Sequence, residues 1–360
     1  MNKCFLTAKA INNSFTGVSF MPQRVGSYTI KLSTDVSIHS SVGIVGKKEG
    51  QGPLGGCFDR VYTDNKLGQE SWEKAESTLQ TAAVDMLLSK LSLKPDDIDV
   101  IFAGDLLNQC ISSTFGLRSL NIPLLGQYGA CSTMAQTLAM ASIFVDSGAC
   151  DRAVAVTSSH FCSAERQFRF PIDYGGQRTP TAQWTVTGSG CALVDREDTG
   201  PYVRNVTIGR ITDLDVLDAA NMGAAMAPAA ADTIFNYLSD TGTKPQDYDL
   251  ILTGDLGAVG SRLLKEILAR ENIDISQNHN DCGLMIFDRQ RQDVHAGGSG
   301  CGCSGSVFCS VIMDRLRKCE LKNILFVATG ALMSPTSSQQ GESIPGIAHL
   351  LNICCNTTKN

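Results

Sequence analysis

The sequence contains no Cys-x-x-Cys pair, although its 14 cysteines are scattered along 360 residues. The closest pairs are Cys301-Gly302-Cys303 and Cys354-Cys355. Zinc-binding spacing is therefore missing, and no metal site is expected. No secretory leader is apparent, so free thiols in a reducing compartment are expected rather than disulfides. No apolar run reaches the length of about 18 residues that a membrane-spanning helix needs, which leaves peripheral attachment open. A basic excess is missing too: 30 Lys and Arg face 36 Asp and Glu, for a net charge of −6. Nucleic acid is thus not the expected partner. The glycine-rich stretch Gly50 to Gly56 lacks the Gly-Lys-Ser/Thr ending of a phosphate-binding loop.

What is present is an ordinary globular composition, with 43% apolar and 18% charged residues, long enough for two domains or one large duplicated one. Trp72, Ala75, Leu79, Ala83, Met86 and Leu87 recur at helical spacing, which predicts an amphipathic helix over about 70–91. The most informative local feature is an internal repeat. Residues 94–106 read KPDDIDVIFAGDL and residues 244–256 read KPQDYDLILTGDL, eight identities in 13 positions at an offset of 150. The identities include Pro95/Pro245, Asp99/Asp249 and Asp105/Asp255. Each copy follows a helical pattern and reads as a turn feeding a short buried strand, so the chain is expected to be duplicated.

Downstream, the Cys131 turn leads through a helix to the apolar run 152–159. A second small-residue turn, 297–305, leads through a helix at about 304–318 to a similar run, 323–330. Strand–helix alternation predicts an α/β fold of two βαβα halves, 1–195 and 196–360, with parallel sheets covered by helices. The two small-residue turns are expected to meet near a pseudo-twofold axis and enclose a pocket. Cys131 sits between a strand end and a helix start, where unpaired N–H groups favour negative charge. That arrangement lowers a thiol pKa or seats an anion, against the plainer alternative of a small buried cysteine. Between the halves, residues 160–190 hold His160, Glu165, Arg166, Arg169 and Arg178 in a long irregular insertion, expected to serve function, an interface, or both.

A duplicated βαβα unit with a cysteine at a strand-to-helix turn resembles the thiolase and ketosynthase superfamily. That likeness implies five layers, helix/sheet/helix/sheet/helix. A narrower resemblance rests on Gly129-Ala130-Cys131-Ser132-Thr133, Ser158-Ser159-His160-Phe161, the block from Ala164 to Gly188, and His295-Ala296-Gly297-Gly298-Ser299-Gly300-Cys301-Gly302-Cys303. Together these are similar to the stage V sporulation protein AD family across nearly the whole chain.

That resemblance implies a thiolase-fold protein that is not an enzyme. It implies binding of dipicolinic acid (pyridine-2,6-dicarboxylate), with calcium as a possible companion of the ligand, for uptake into the developing spore. It also implies a peripheral place at the forespore or spore inner membrane beside the membrane proteins of the spore channel, and a homodimer, as thiolase-fold relatives form. Condensing enzymes pair their cysteine with His–His or His–Asn from the second half. Here, aligning on Ser304-Gly305 puts Ser299 where a thiolase histidine stands, and the second thiolase cysteine has no match. Catalytic residues are therefore expected to be absent. The expected ligand-binding set is Cys131, Ser132, His160, His295, Gly298, Ser299 and Arg166. The alternatives are an acyl-transferring condensing enzyme with Cys131 as nucleophile, and a structural scaffold of the channel complex.

Overall fold

The repeated segments build the same local structure twice. Lys94 and Lys244 each donate a main-chain N–H to the aspartate three residues on, at 2.7 and 2.8 Å. Pro95–Asp97 and Pro245–Asp247 are single 3₁₀ turns. Asp99 then accepts the N–H groups of Asp151 and Arg152, and Asp249 those of Lys322 and Asn323. Each aspartate thereby ties its strand to the neighbouring one, which explains why side chains so close to the surface recur in both copies. These contacts are seen in a computed structural model, which describes residues 21–168, 178–198 and 200–356. Arg169 and the Tyr174–Gln177 stretch lie outside the described residues.

Ten strands carry the duplication. The first half contributes β1 (Thr29–Val45), β2 (Val100–Gly104), β3 (Leu124–Gly126), β4 (Ala153–Ser159) and β5 (Gly188–Asp195). The second contributes β6 (Tyr202–Ile208), β7 (Leu250–Thr253), β8 (His279–Asp281), β9 (Asn323–Ala331) and β10 (Gly346–Cys354). Their order is β8-β7-β9-β10-β6-β1-β5-β4-β2-β3, which reads the same from either end once each strand is matched to its counterpart in the other half. The antiparallel β1–β6 pair, with Ile30 opposite Val206, joins the two ladders where the pseudo-twofold must pass.

The expectation of parallel sheets needs correction. Pairs β2–β3, β2–β4, β7–β8 and β7–β9 are parallel, but β5 and β10 run antiparallel to their neighbours. The cause lies in the connections. The chain leaves β4 at Ser159 and re-enters at Gly188, its direct partner across the ladder, as Ala331 and Gly346 are in the second half.

Helices α1 (Trp72–Leu91) and α2 (Ile111–Leu117) cover one outer face. In α1, Ala75, Leu79, Ala83 and Leu87 are buried at i, i+4 spacing, and the Ser71 hydroxyl caps the first turn by accepting from Lys74 N–H. Between the ladders lie α3 (Thr133–Asp146) and, later in the chain, the helix that begins at Cys301. A short α4 (Phe161–Phe168) follows β4, and α5 (Met222–Thr241) and α6 (Gly257–Arg270) cover the other outer face. The Cys301 helix is α7 (Cys301–Val307), prolonged by a π-helical stretch, Phe308–Ile312, and a last turn, Met313–Arg317. All of α7 is buried, and α3 touches strands of both halves. The result is five layers, with α3 and α7 in the middle. Glycine makes that middle layer possible: a Cβ on Gly190 of β5 would lie 2.2 Å from the Gly305 carbonyl.

Candidate functional site

Cys131 precedes α3, and Cys301 opens α7, so the duplication brings one cysteine from each half to the same place. Leu106, Cys131, Ala164 and Cys301 form one small buried cluster. The Ser304 hydroxyl reaches the Cys131 carbonyl at 3.5 Å, and Gly330 packs on the Gly129 carbonyl. The two small-residue turns therefore converge, as the repeat predicts.

At the convergence is a cavity of about 60 Å³, several times the room one water needs. Its walls are largely apolar: Leu106, Tyr128, Phe168, Met222, Ala331 and Met333. Its polar lining comes from Cys131, Glu165, Thr185 and Ser299. Among the described residues no lysine, arginine or histidine lines it.

The group that reaches Cys131 from the second half is the Asp255 carboxyl. Asp255 is fully buried at the end of β7, in the repeat position matching Asp105. It accepts from Gly300 N–H and the Thr329 hydroxyl, each at 2.9 Å, and from the Ser299 hydroxyl at 3.4 Å. Burial lifts its pKa to about 6. Burial, then the Asp255 charge, then Cys301 hold the Cys131 thiol well above the usual thiol range. The expectation that the helix start lowers this pKa is therefore overturned. A Gly300 N–H does favour the thiolate, but desolvation and a neighbouring carboxylate outweigh it. The thiol stays protonated at neutral pH, the opposite of what an activated nucleophile requires.

The other expected ligand-binding residues are placed as follows. Ser299 lines the cavity. Gly298 forms the cavity's backing ribbon, paired in parallel with Trp184. Ser132 is buried and donates to the Gly129 carbonyl at 2.7 Å. His160 does not line the cavity. Its Nε2 bonds the Asn65 carbonyl at 2.8 Å and its Nδ1 accepts from Cys162 N–H at 3.1 Å, so both nitrogens are used where α4 begins. Arg166 is exposed and faces Glu73 at 3.4 Å. His295 sits on the far side of the ribbon, with Nε2 3.1 Å from an Asp293 oxygen. Arg178 and Lys48 meet the same Asp293 there, and both lie over the Trp184 ring. Among the described residues, Lys48, Arg178 and His295 thus gather around Asp293 and not in the cavity. Asp255 was visible in sequence only as a repeated Gly-Asp-Leu; its identity in both copies was the signal available.

Asp255 is one of several buried acids in the chain. Burial pushes Asp281 and Glu49 up to about 7, as it pushes Asp255 up to about 6. Unfolded, such groups titrate near 4. The folded chain therefore binds extra protons between about pH 4 and 7. The stability they contribute is complete below about pH 4 and is lost as pH rises through 6 and 7. We expect the unfolding free energy to be higher at pH 5 than at pH 8, by on the order of 1 kcal/mol or more, and the urea midpoint to be higher with it. Denaturation curves at the two pH values check this, and Asp281→Asn should flatten the difference.

The model for stage V sporulation protein AD matches residues 26–354. Stage V sporulation protein AD of Bacillus subtilis (strain 168) is 47% identical over 324 residues, 90% of this chain and 96% of that protein. Among solved structures, 3-oxoacyl-[acyl-carrier-protein] synthase III from Aquifex aeolicus superposes with a TM-score of 0.55 at 15% identity, over 88% of this chain and 99% of its own. Cerulenin-bound OleA from Xanthomonas campestris gives a TM-score of 0.56 at 13% identity, over 89% of this chain and 97% of its own. At these identities the structural likeness establishes a thiolase-type fold and nothing about chemistry.

Proposed function

The chain belongs to the stage V sporulation protein AD family, and from that premise we propose that it binds dipicolinic acid beside Cys131 without transforming it. Binding serves uptake of the acid into the developing spore, next to the membrane proteins of the spore channel, on the membrane's surface. No described helix is long and apolar enough to cross a membrane.

One observation carries the non-catalytic reading: the second-half group at Cys131 is a buried carboxyl. A carboxylate there opposes the thiolate and cannot itself donate to an oxyanion, which argues against acyl transfer through Cys131. The same acids bear on the ligand. Dipicolinate is a dianion; among the described residues the cavity is lined by Glu165 and by no cation, and the buried Asp255 carboxyl lies behind Cys131. The calcium chelate is neutral and suits these walls, with the metal taking the charge balance and carboxylate oxygens as its ligands.

Calorimetric titration of dipicolinate, with and without calcium, tests the proposal. Tight binding is expected with calcium and weak binding without it. Ser299→Ala, which removes a hydroxyl beside the ligand, should weaken binding by about tenfold. His160→Ala and Arg166→Ala should change it little. An acetyl adduct on Cys131 after incubation with acetyl-CoA, absent in Cys131→Ala, would establish the condensing enzyme instead.

The homodimer is part of the same proposal. Edge strand β3 leaves Leu124 and Leu125 exposed, and Ile111 and Phe115 of α2 are exposed as well. Such an edge is a template for pairing with a second copy. Light scattering should give twice the 38.5 kDa chain mass, and Leu125→Lys should give the monomer; a monomeric wild type at micromolar concentration would contradict it.

A further inference from the structure

We propose that His39, Asp195 and Glu197 form a site for a divalent transition metal of the zinc class, separate from the Cys131 cavity. The three residues lie where β1 meets the end of β5. Their donor atoms, one from each side chain, all lie within 4.8 Å of one another. His39 Nδ1 is 2.6 Å from Asp195 Oδ2 and 3.7 Å from Glu197 Oε2. Metal bonds of about 2.0–2.2 Å place neighbouring ligand atoms about 3.0–3.5 Å apart, and the two separations bracket that range.

The arrangement is oriented from outside. Asp195 Oδ1 accepts from the Ser37 hydroxyl and from Glu197 N–H, both at 3.0 Å, which leaves Oδ2 turned to His39. Glu197 Oε1 accepts from Arg152 at 3.0 Å, which leaves Oε2 turned the same way. Each carboxylate thus has one oxygen tied down by the protein and the other aimed at the imidazole. That is how supporting hydrogen bonds orient metal ligands. The backbone adds an independent feature. Ser37 pairs with Asp195 and Ile38 with Val194, but Leu193 pairs with Ser40, so His39 is the extra residue of a β-bulge. Bulges re-aim a side chain, and this one brings His39 beside Asp195.

The donor set selects the ion class. One imidazole with two carboxylates favours zinc, cobalt or manganese over calcium and magnesium, which prefer all-oxygen shells. Glu197 is about half exposed, with 51% of its side chain accessible, so water completes the coordination. Arg152 offsets part of the negative charge of the site, so affinity should be moderate. Because 39 and 195 are far apart in sequence, no spacing motif announces the site.

The test uses the metal-free full chain and cobalt(II) as the probe. Visible absorption should report one bound ion per chain. His39→Asn and Glu197→Gln should each weaken binding at least about tenfold, and zinc should raise the melting temperature of the wild type but not of His39→Asn. Asp195→Asn is the third variant, and the other two, on more accessible side chains, keep the test decisive should it not fold. Cobalt binding that is equal in wild type and variants would assign the ion to the cysteines and overturn the proposal. So would a wild type whose stability zinc does not change while His39→Asn lowers it, since the cluster would then be an ion pair alone.

Discussion

Asp255→Asn should make the silent Cys131 thiol measurably more reactive. In the wild type the thiol is held protonated by burial and by the carboxylate it touches. The substitution keeps the size of the side chain, removes the charge, and brings an amide N–H that can donate to a thiolate. Each 1.36 kcal/mol of repulsion removed multiplies the thiolate fraction about tenfold. The charge term is second to desolvation, so we expect alkylation of Cys131 by iodoacetamide at pH 8 to speed up by about tenfold or more, not to reach the rate of a free thiol. Mass mapping of the Cys131 peptide against time gives the rate. The control is Cys301, whose buried thiol should stay slow in both proteins. Unchanged Cys131 reactivity would show that burial alone silences the thiol, and the case against catalysis would lose its electrostatic half.

Filling the cavity should abolish ligand binding. Ala331 lies at the end of β9, lines the cavity and is 9% exposed. A phenylalanine there projects a ring into the space the ligand needs, next to Met333 and Ser299. The ring has an outlet toward the cavity, so the stability cost should stay near the low end of the roughly 1–3 kcal/mol usual for overpacking. Binding of calcium dipicolinate should fall at least about 100-fold, equivalent to about 2.7 kcal/mol. A variant that melts within a few degrees of the wild type and still binds at full strength would place the ligand elsewhere.

The duplication was legible because the side chains identical in both copies do the same backbone work twice. Asp97 and Asp247 cap a turn, and Asp99 and Asp249 tie adjacent strands. The convergence of the Cys131 and Gly297–Gly305 turns followed from placing equivalent ends of two halves about one axis. Sheet direction did not follow. Whether the chain re-enters β5 parallel or antiparallel depends on where the 160–187 connection ends, and that carries no periodic signal. The roles of the histidines were illegible for a similar reason. His160 and His295 are near the cavity in sequence terms, but a neighbouring main-chain group or aspartate claims each ring. Asp255 was visible as half of a repeated Gly-Asp-Leu, yet its contact with Cys131 crosses between the halves, which only the packed structure brings together. The same packing put the cations Lys48 and Arg178 on the Trp184 ring and left Glu165 at the cavity.

The most direct measurement is a crystal structure of the full chain grown with calcium and dipicolinate. The account predicts the pyridine ring between Tyr128, Phe168 and Ser299, in contact with the unmodified Cys131 sulfur, with calcium on the side of Glu165 and Asp255. Density for the ligand on the Lys48, Arg178 and His295 face of Trp184, with the Cys131 cavity unfilled, would contradict it.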